Sequence, residues 1–214
     1  MTTSSSQTSG SETIQTLLSR HSVRRYKKGV RIQEDILREI LEVAGRAPSA
    51  WNLQHWKFLV IQEQDVKEKL LPIAYNQPAI VDSSAVVVVL GDYQANKNAE
   101  AVFSQSIAAG VMLPAYAERS IVSINQAYEA AGAEFARQHA YLNAGLVSMQ
   151  LMIAAKALGY DTVPMTGFNA QLLSEQFQIE PRYVPAMIVC IGVSDEPSHQ
   201  SPRLPLEQVI YQNL

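Results

Sequence analysis

Apolar residues recur at helical spacing in the first third of the chain. In SETIQTLLSR (residues 11–20), Ile14, Leu17 and Leu18 share one face and Ser11 is placed to cap it. In QEDILREILEVAGRAP (33–48), Ile36, Leu37, Ile40, Leu41 and Ala44 form a stripe. Acids crowd its first turn, and Gly45 and Pro48 close it. WKFLVIQ (56–62) predicts a strand and DVKEKLLPIA (65–74) a short helix ended by Pro72. SAVVVVLGD (84–92) is continuously apolar rather than alternating, the pattern of a strand buried on both faces. Residues 98–112 look helical. Residues 114–132 give no clear period and fit a loop or a short helix, with Tyr116 and Tyr128 as candidate lid residues. The longest predicted helix covers 133–160 and is apolar on more than one face after Ala144. DTVPM (161–165) is a strand leading into a turn, Asn169 caps a helix over 170–177, and PAMIVCIGV (185–193) is the last core strand. The order predicts an α+β fold with a small central sheet and large helices.

Composition narrows the class. At 214 residues, 47% hydrophobic and 17% charged, the chain suits one globular domain. No apolar run approaches the roughly 20 residues of a membrane span. MTTSSSQTSG lacks the pattern of a signal peptide, so residues 1–11 are expected to be a disordered polar tail and 12–214 the domain. A single cysteine fits a reducing cytoplasm, and Cys190, inside AMIVCIGV, is expected to be a small core residue.

The usual catalytic signatures are missing. No two of the ten glycines form G-x-G, and neither a phosphate loop nor G-x-S-x-G is present. The four histidines are scattered, without metal-ligand spacing. Any chemistry is therefore expected to belong to a bound cofactor. Charge is patterned, however: net charge is −3, yet Arg20, Arg24, Arg25, Lys27, Lys28 and Arg31 cluster near one end. If residues 20–26 are extended, Arg20, Ser22 and Arg24 face one way and His21, Val23 and Arg25 the other. Two guanidinium groups flanking a hydroxyl suit one phosphate. A solvated charge cluster is the plainer alternative. Nucleic acid would need a longer basic face with stacking partners, which the chain does not supply.

Five segments in order, RHSVRRY, APSAWNLQHWKFLV, YNQPAIVDSSAVVVV, LGYDTVPMTGF and SPRLPLEQVI, resemble the FMN-dependent nitroreductase family from about Glu12 to the C-terminus. The resemblance implies a mostly antiparallel sheet flanked by helices in an intertwined homodimer, with a C-terminal arm exchanged between chains. It implies FMN gripped by the stretch Arg20, His21, Ser22 and Arg24. There Arg20 and Ser22 hold the phosphate or nearby ribityl oxygens, and Arg24 reaches the pyrimidine edge to stabilise charge on the reduced ring. Pro48, Ser49, Ala50, Asn52 and Gln54 match the loop that closes the cleft, in this family often from the partner chain. Asn76 matches a flavin-contacting Asn, and Met165, Thr166 and Gly167 match the turn facing the flavin N5 edge. Arg203 matches an arginine that returns to the phosphate. Three positions depart from the family pattern: His55 replaces a common Pro, Thr166 an acid and Ser201 a Lys. Asn52 and Asn76 could equally organise turns, and Trp51 and Trp56 could be core residues.

The implied activity is NAD(P)H-dependent reduction of a small acceptor, a nitroaromatic or a quinone, by alternating hydride transfers through FMN, with no dedicated catalytic side chain. Neither nucleic acid nor membrane is expected as a partner. A dehalogenase or flavin-destructase chemistry on the same scaffold, and a non-catalytic flavin-binding module, are the rival readings.

Overall fold

The computed structural model describes residues 6–197 and 201–211. In chain order its elements are α1 (Ser6–Ser19), α2 (Glu34–Ala44), β1 (Trp56–Ile61), α3 (Gln64–Ile73), α4 (Ala79–Asp82), β2 (Ala85–Asp92), α5 (Ala99–Ala108), α6 (Pro114–Ala157), β3 (Asp161–Met165), α7 (Ala170–Gln176), β4 (Tyr183–Gly192) and α8 (Leu206–Val209). The strands form one antiparallel sheet in the order β1-β2-β4-β3, so the expected α+β architecture holds.

The continuous apolar run of β2 has a direct cause. All eight of its residues are buried. Val86, Val88 and Leu90 enter a core with residues of α3, α4 and α7. Ala85, Val87 and Val89 enter a second core with α2 and the later half of α6. Helices cover both faces, so neither face of β2 needs polar residues. A third cluster joins Leu53 to α5 and the first half of α6 through Val102, Phe103, Ala117, Ile124 and Tyr128. Cys190 is fully buried, and burial pushes its thiol up to about 12, as suits a core residue.

Several boundaries differ from expectation. α1 begins at Ser6, so residues 6–11 are helical where a tail was expected, and Ser11 lies within the helix rather than capping it; residues 1–5 lie outside the described residues. Pro72 sits inside α3, in its last turn, instead of ending it. Asn169 does cap α7, its side chain accepting from the Leu172 amide. The largest difference is at 114–132, which is helical up to residue 131. Gly132, at φ 72° and ψ −167°, breaks the run into two helices. That backbone region is essentially open only to glycine. The period of the first helix is weak because only Ala117, Ile124 and Tyr128 of it are buried, all in the third cluster. Tyr128 is therefore a buried core residue and not a lid residue, while Tyr116 is exposed.

Candidate active site

The basic stretch is fastened along the free edge of β3. Val23 and Tyr26 are buried anchors. Ser22 bridges Thr162 in parallel fashion, and the Val23 amide donates to the Thr162 carbonyl at 3.0 Å. The Tyr26 hydroxyl donates to the Cys190 carbonyl at 3.2 Å. Its ring lies on Gly192, where a Cβ would come within 2.7 Å of the ring. Burial accordingly raises the Tyr26 pKa.

This anchoring positions a cavity of about 390 Å³ lined by Leu17, Arg20, His21, Met149, Ser201 and Arg203. Arg20 and Arg203, far apart in sequence, meet here. The Arg20 Nε is buried and has no hydrogen-bond partner. The Arg203 Nη1 donates to the Ser201 and Pro202 carbonyls at 2.9 and 3.2 Å. Neither arginine forms an ion pair among the described residues. His21 lines the same cavity as Arg20, which corrects the strict alternation expected of the stretch: only isolated bridges, not a continuous ladder, hold this backbone. Ser22 and Arg24 line a second cavity of about 200 Å³ with Val23, Arg25, Ser194 and Glu196, so the expected grouping of Arg20 with Ser22 and Arg24 is split between two cavities, and Val23 and Arg25 share the one that holds Ser22 and Arg24. Arg25 is paired with Glu196 at 2.8 Å on the surface. Lys27 is exposed, and Lys28, also exposed, reaches Asp82 at 3.4 Å.

The turn after β3 meets the turn after α3. The Gln77 side-chain amide donates to the Gly167 carbonyl at 3.0 Å, and the Asn169 amide donates to the Ile73 carbonyl at 2.9 Å. Met165 is buried, while Thr166 and Gly167 are exposed. Asn76 is left-handed at φ 58°, a conformation that asparagine tolerates, so it organises this turn.

The loop carrying Pro48, Ser49, Ala50, Asn52 and Gln54 lies elsewhere. It runs into β1, at the sheet edge opposite β3, with β2 and β4 between them. Normal strand spacing puts the two edges roughly 14 Å apart. Trp51, Asn52 and Gln54 all have positive φ (50°, 57° and 46°), so this tight loop is held from outside. The Asn143 Oδ1 accepts from the Ala50 amide at 3.0 Å, and its Nδ2 donates to the His139 carbonyl at 2.7 Å. The Ser49 hydroxyl accepts from the Gln54 amide at 3.0 Å, and the Gln54 side chain donates to the Asn52 carbonyl. Trp51 is 43% exposed and stacks on His139 with ring centroids 6.0 Å apart, so it is a surface residue of the loop and not the core residue considered above. Trp56 is buried, as a core residue should be.

Just after the loop, His55 is fully buried and shares a 2.9 Å hydrogen bond between Nε2 and the Tyr128 hydroxyl. Its Nδ1 has no partner. Burial first, and then the nearby His139, lower its pKa to about 4; burial pushes Tyr128 up to about 12. Beneath it the Asp92 amide donates to the His55 carbonyl, and the Asp92 carboxylate takes a two-pronged contact from Arg182 at 2.8 and 2.7 Å. Sequence reasoning missed Asn143, which was detectable as a polar residue on an apolar helix. It also missed the His55–Tyr128 pair, for which the sequence holds no signal.

The nitroreductase family model matches residues 17–193. The chain belongs to the nitroreductase family. It is 48% identical over 197 residues to YodC of Bacillus subtilis, an NAD(P)H nitroreductase by name, covering 92% of this chain and 96% of the relative. A nitroreductase from Exiguobacterium sibiricum solved in complex with FMN superposes with a TM-score of 0.89 at 36% identity, covering 94% of this chain and 96% of that one. An NAD(P)H:FMN oxidoreductase from Staphylococcus epidermidis gives a TM-score of 0.90 at 30% identity, covering 94% and 95%.

The residues of the larger arginine-lined cavity fit the phosphate end of FMN. Two guanidinium groups meet there with no carboxylate in the lining, and one buried Nε lacks an acceptor. A phosphate dianion supplies that acceptor and offsets both charges. Gly167 leaves the neighbouring turn open, since a Cβ there would touch nothing but the Gln77 amide, at 3.6 Å.

Proposed function

We propose that the protein is an FMN-dependent NAD(P)H oxidoreductase that works as a homodimer. Each cleft joins the arginine half of one chain to the 48–54 loop of the other. The observation that carries this reading is the placement of the two halves at opposite edges of one sheet. A second copy supplies what a single chain leaves apart. Leu142, Leu146 and Met149 form an exposed stripe on α6, Leu17 and Leu18 are exposed on α1, and the C-terminal arm exposes Leu204, Leu206, Val209, Ile210 and Tyr211. So much exposed apolar surface favours burial against a partner, with the arm crossing to the other chain.

Bound FMN would accept hydride from NADH or NADPH and deliver it to an oxidised acceptor such as a nitroaromatic or a quinone. Arg20 and Arg203 hold the phosphate with His21 beside them, and Ser22, from the other cavity, reaches the ribityl oxygens. Arg24 sets a positive charge toward the pyrimidine edge, where negative charge grows on reduction. The backbone of Met165, Thr166 and Gly167, braced by Gln77, borders the ring, with Asn76 beside Gln77 in the facing turn. Pro48, Ser49, Ala50, Asn52 and Gln54 of the partner close over it and exclude water. Their fixed shape orients the two substrates in turn. The single buried cysteine is consistent with a cytoplasmic location.

Steady-state NADH and NADPH oxidation with a quinone and with a nitroaromatic tests this directly. Parallel double-reciprocal lines are expected, because donor and acceptor use one cleft in turn. Intersecting lines would require a separate nicotinamide site, and no turnover would leave a flavin-binding module. Sedimentation of the protein truncated before Pro202 tests the arm: a weaker dimer with weaker FMN binding is expected.

A further inference from the structure

The 48–54 loop borders a cavity of about 410 Å³ between the end of α2 and α5, lined among others by Arg46, Asn52, Gln54, Val102, Gln105 and Val111. No acidic residue lines it. Arg46 is exposed and forms no ion pair among the described residues, and the side chains of Asn52 and Gln105 make no hydrogen bond among them either. Nearly every other polar group of the loop is already engaged. Val102 and Val111 add an apolar lip, with Val111 77% exposed. One uncompensated cation, two idle amides and an apolar lip suit an oxyanion attached to a less polar body.

We propose that this cavity is a subsite for the anionic part of a substrate, with Arg46 as its specificity-determining residue. The proposal rests on the reductase reading, since Asn52 and Gln54 belong both to this cavity and to the loop that closes the cleft. The oxyanion has two possible sources: a phosphate of the nicotinamide dinucleotide or a carboxylate on the acceptor. Both offer the guanidinium the same paired acceptor geometry.

The test compares the wild-type holoenzyme with Arg46→Gln and Arg46→Lys. The donor is NADPH, NADH or the uncharged 1-benzyl-1,4-dihydronicotinamide, and the acceptor is 4-nitrobenzoate or nitrobenzene. A charge-assisted hydrogen bond at a solvent-reached site corresponds to about tenfold in affinity. Arg46→Gln is therefore expected to lower the ratio of anionic to uncharged kcat/KM about tenfold, through KM, and Arg46→Lys should recover much of it. Raising salt should shrink the wild-type preference. A change confined to the dinucleotides assigns the subsite to the donor; a change confined to nitrobenzoate assigns it to the acceptor. Equal changes for all substrates, or none, overturn the proposal. Calorimetric binding of NADP⁺ and 4-nitrobenzoate to the same proteins gives a readout independent of turnover. If the wild type does not turn over, the reductase reading fails, and unchanged Kd values in Arg46→Gln would still reject the subsite.

Discussion

The two halves of the site are built on opposite plans. At the β3 edge, Arg20 has a buried donor with no acceptor, and Arg203 is satisfied by backbone carbonyls of its own arm. At the β1 edge most polar groups of the loop are taken: the Ala50 amide by Asn143, the Gln54 amide by Ser49, and the Nε2 of neighbouring His55 by Tyr128. The first half keeps unspent hydrogen-bonding capacity, which a charged ligand can use. The second half keeps a shape, with three non-glycine residues held at positive φ. Substitutions in the first should therefore read out in ligand affinity, and those in the second in stability.

The sharpest division is expected at Arg20. Removing one charge-assisted bond to phosphate costs roughly 1.5–3 kcal/mol, so Arg20→Ala should weaken FMN binding roughly ten- to a hundredfold. Fluorescence titration of the apoprotein measures it. The apoprotein Tm should hold or rise slightly, because a buried donor without an acceptor is removed. A large drop in Tm with unchanged FMN affinity would erase the distinction between the halves.

Asn143→Ala comes next, on the other side of the comparison. It strands the Ala50 amide and removes the tie to His139, at a cost of about 1–2 kcal/mol. For a chain of this size, melting should fall by roughly 2–8 °C. Calorimetry checks it, and an unchanged Tm would mean that the loop holds its shape unaided.

The His55 effect is smaller and depends on pH. Its pKa falls from 6.5 to about 4 on folding, so between these values the unfolded chain binds more protons and stability falls as pH falls. From pH 7.5 to 5.5 this group should remove about 1.3 kcal/mol of stability. His55→Gln should flatten the denaturation slope in that window. Equal slopes would show that His55 already titrates normally in the folded protein. Lys27→Ala should do almost nothing to FMN affinity or Tm, since its side chain is exposed. A loss as large as that of Arg20→Ala would turn the receptor into a diffuse basic patch.

The sequence made the sheet legible because its signals are local. β2 shows as a run of four valines, and Asn169 precedes the helix that it caps, whereas the two arginines that bracket Ser22 marked the candidate site without showing that Arg20 and Arg24 line different cavities. The remainder depended on distance. The sparse buried positions of the helix before Gly132 disguised it as an irregular segment. Tyr128 meets His55 across 73 positions, and Arg203 reaches Arg20 only through the course of the C-terminal arm. The strict alternation over 20–25 failed at His21, Val23 and Arg25 because a backbone held by single bridges need not keep the strand period.

Gly132 also has a bearing on how acceptor range can diverge. The helix before it rests on the small cluster with Leu53 and α5, and the helix after it on the main sheet. The stretch from Ala109 to Ala131 is thus bounded by the Gly132 break on one side and the Gly110 turn (φ 73°) on the other, and it is tied to the scaffold through Tyr128 and Asn125. Recombination or library design confined to that stretch can reshape the lip of the cleft while leaving inheritance of the cofactor grip intact.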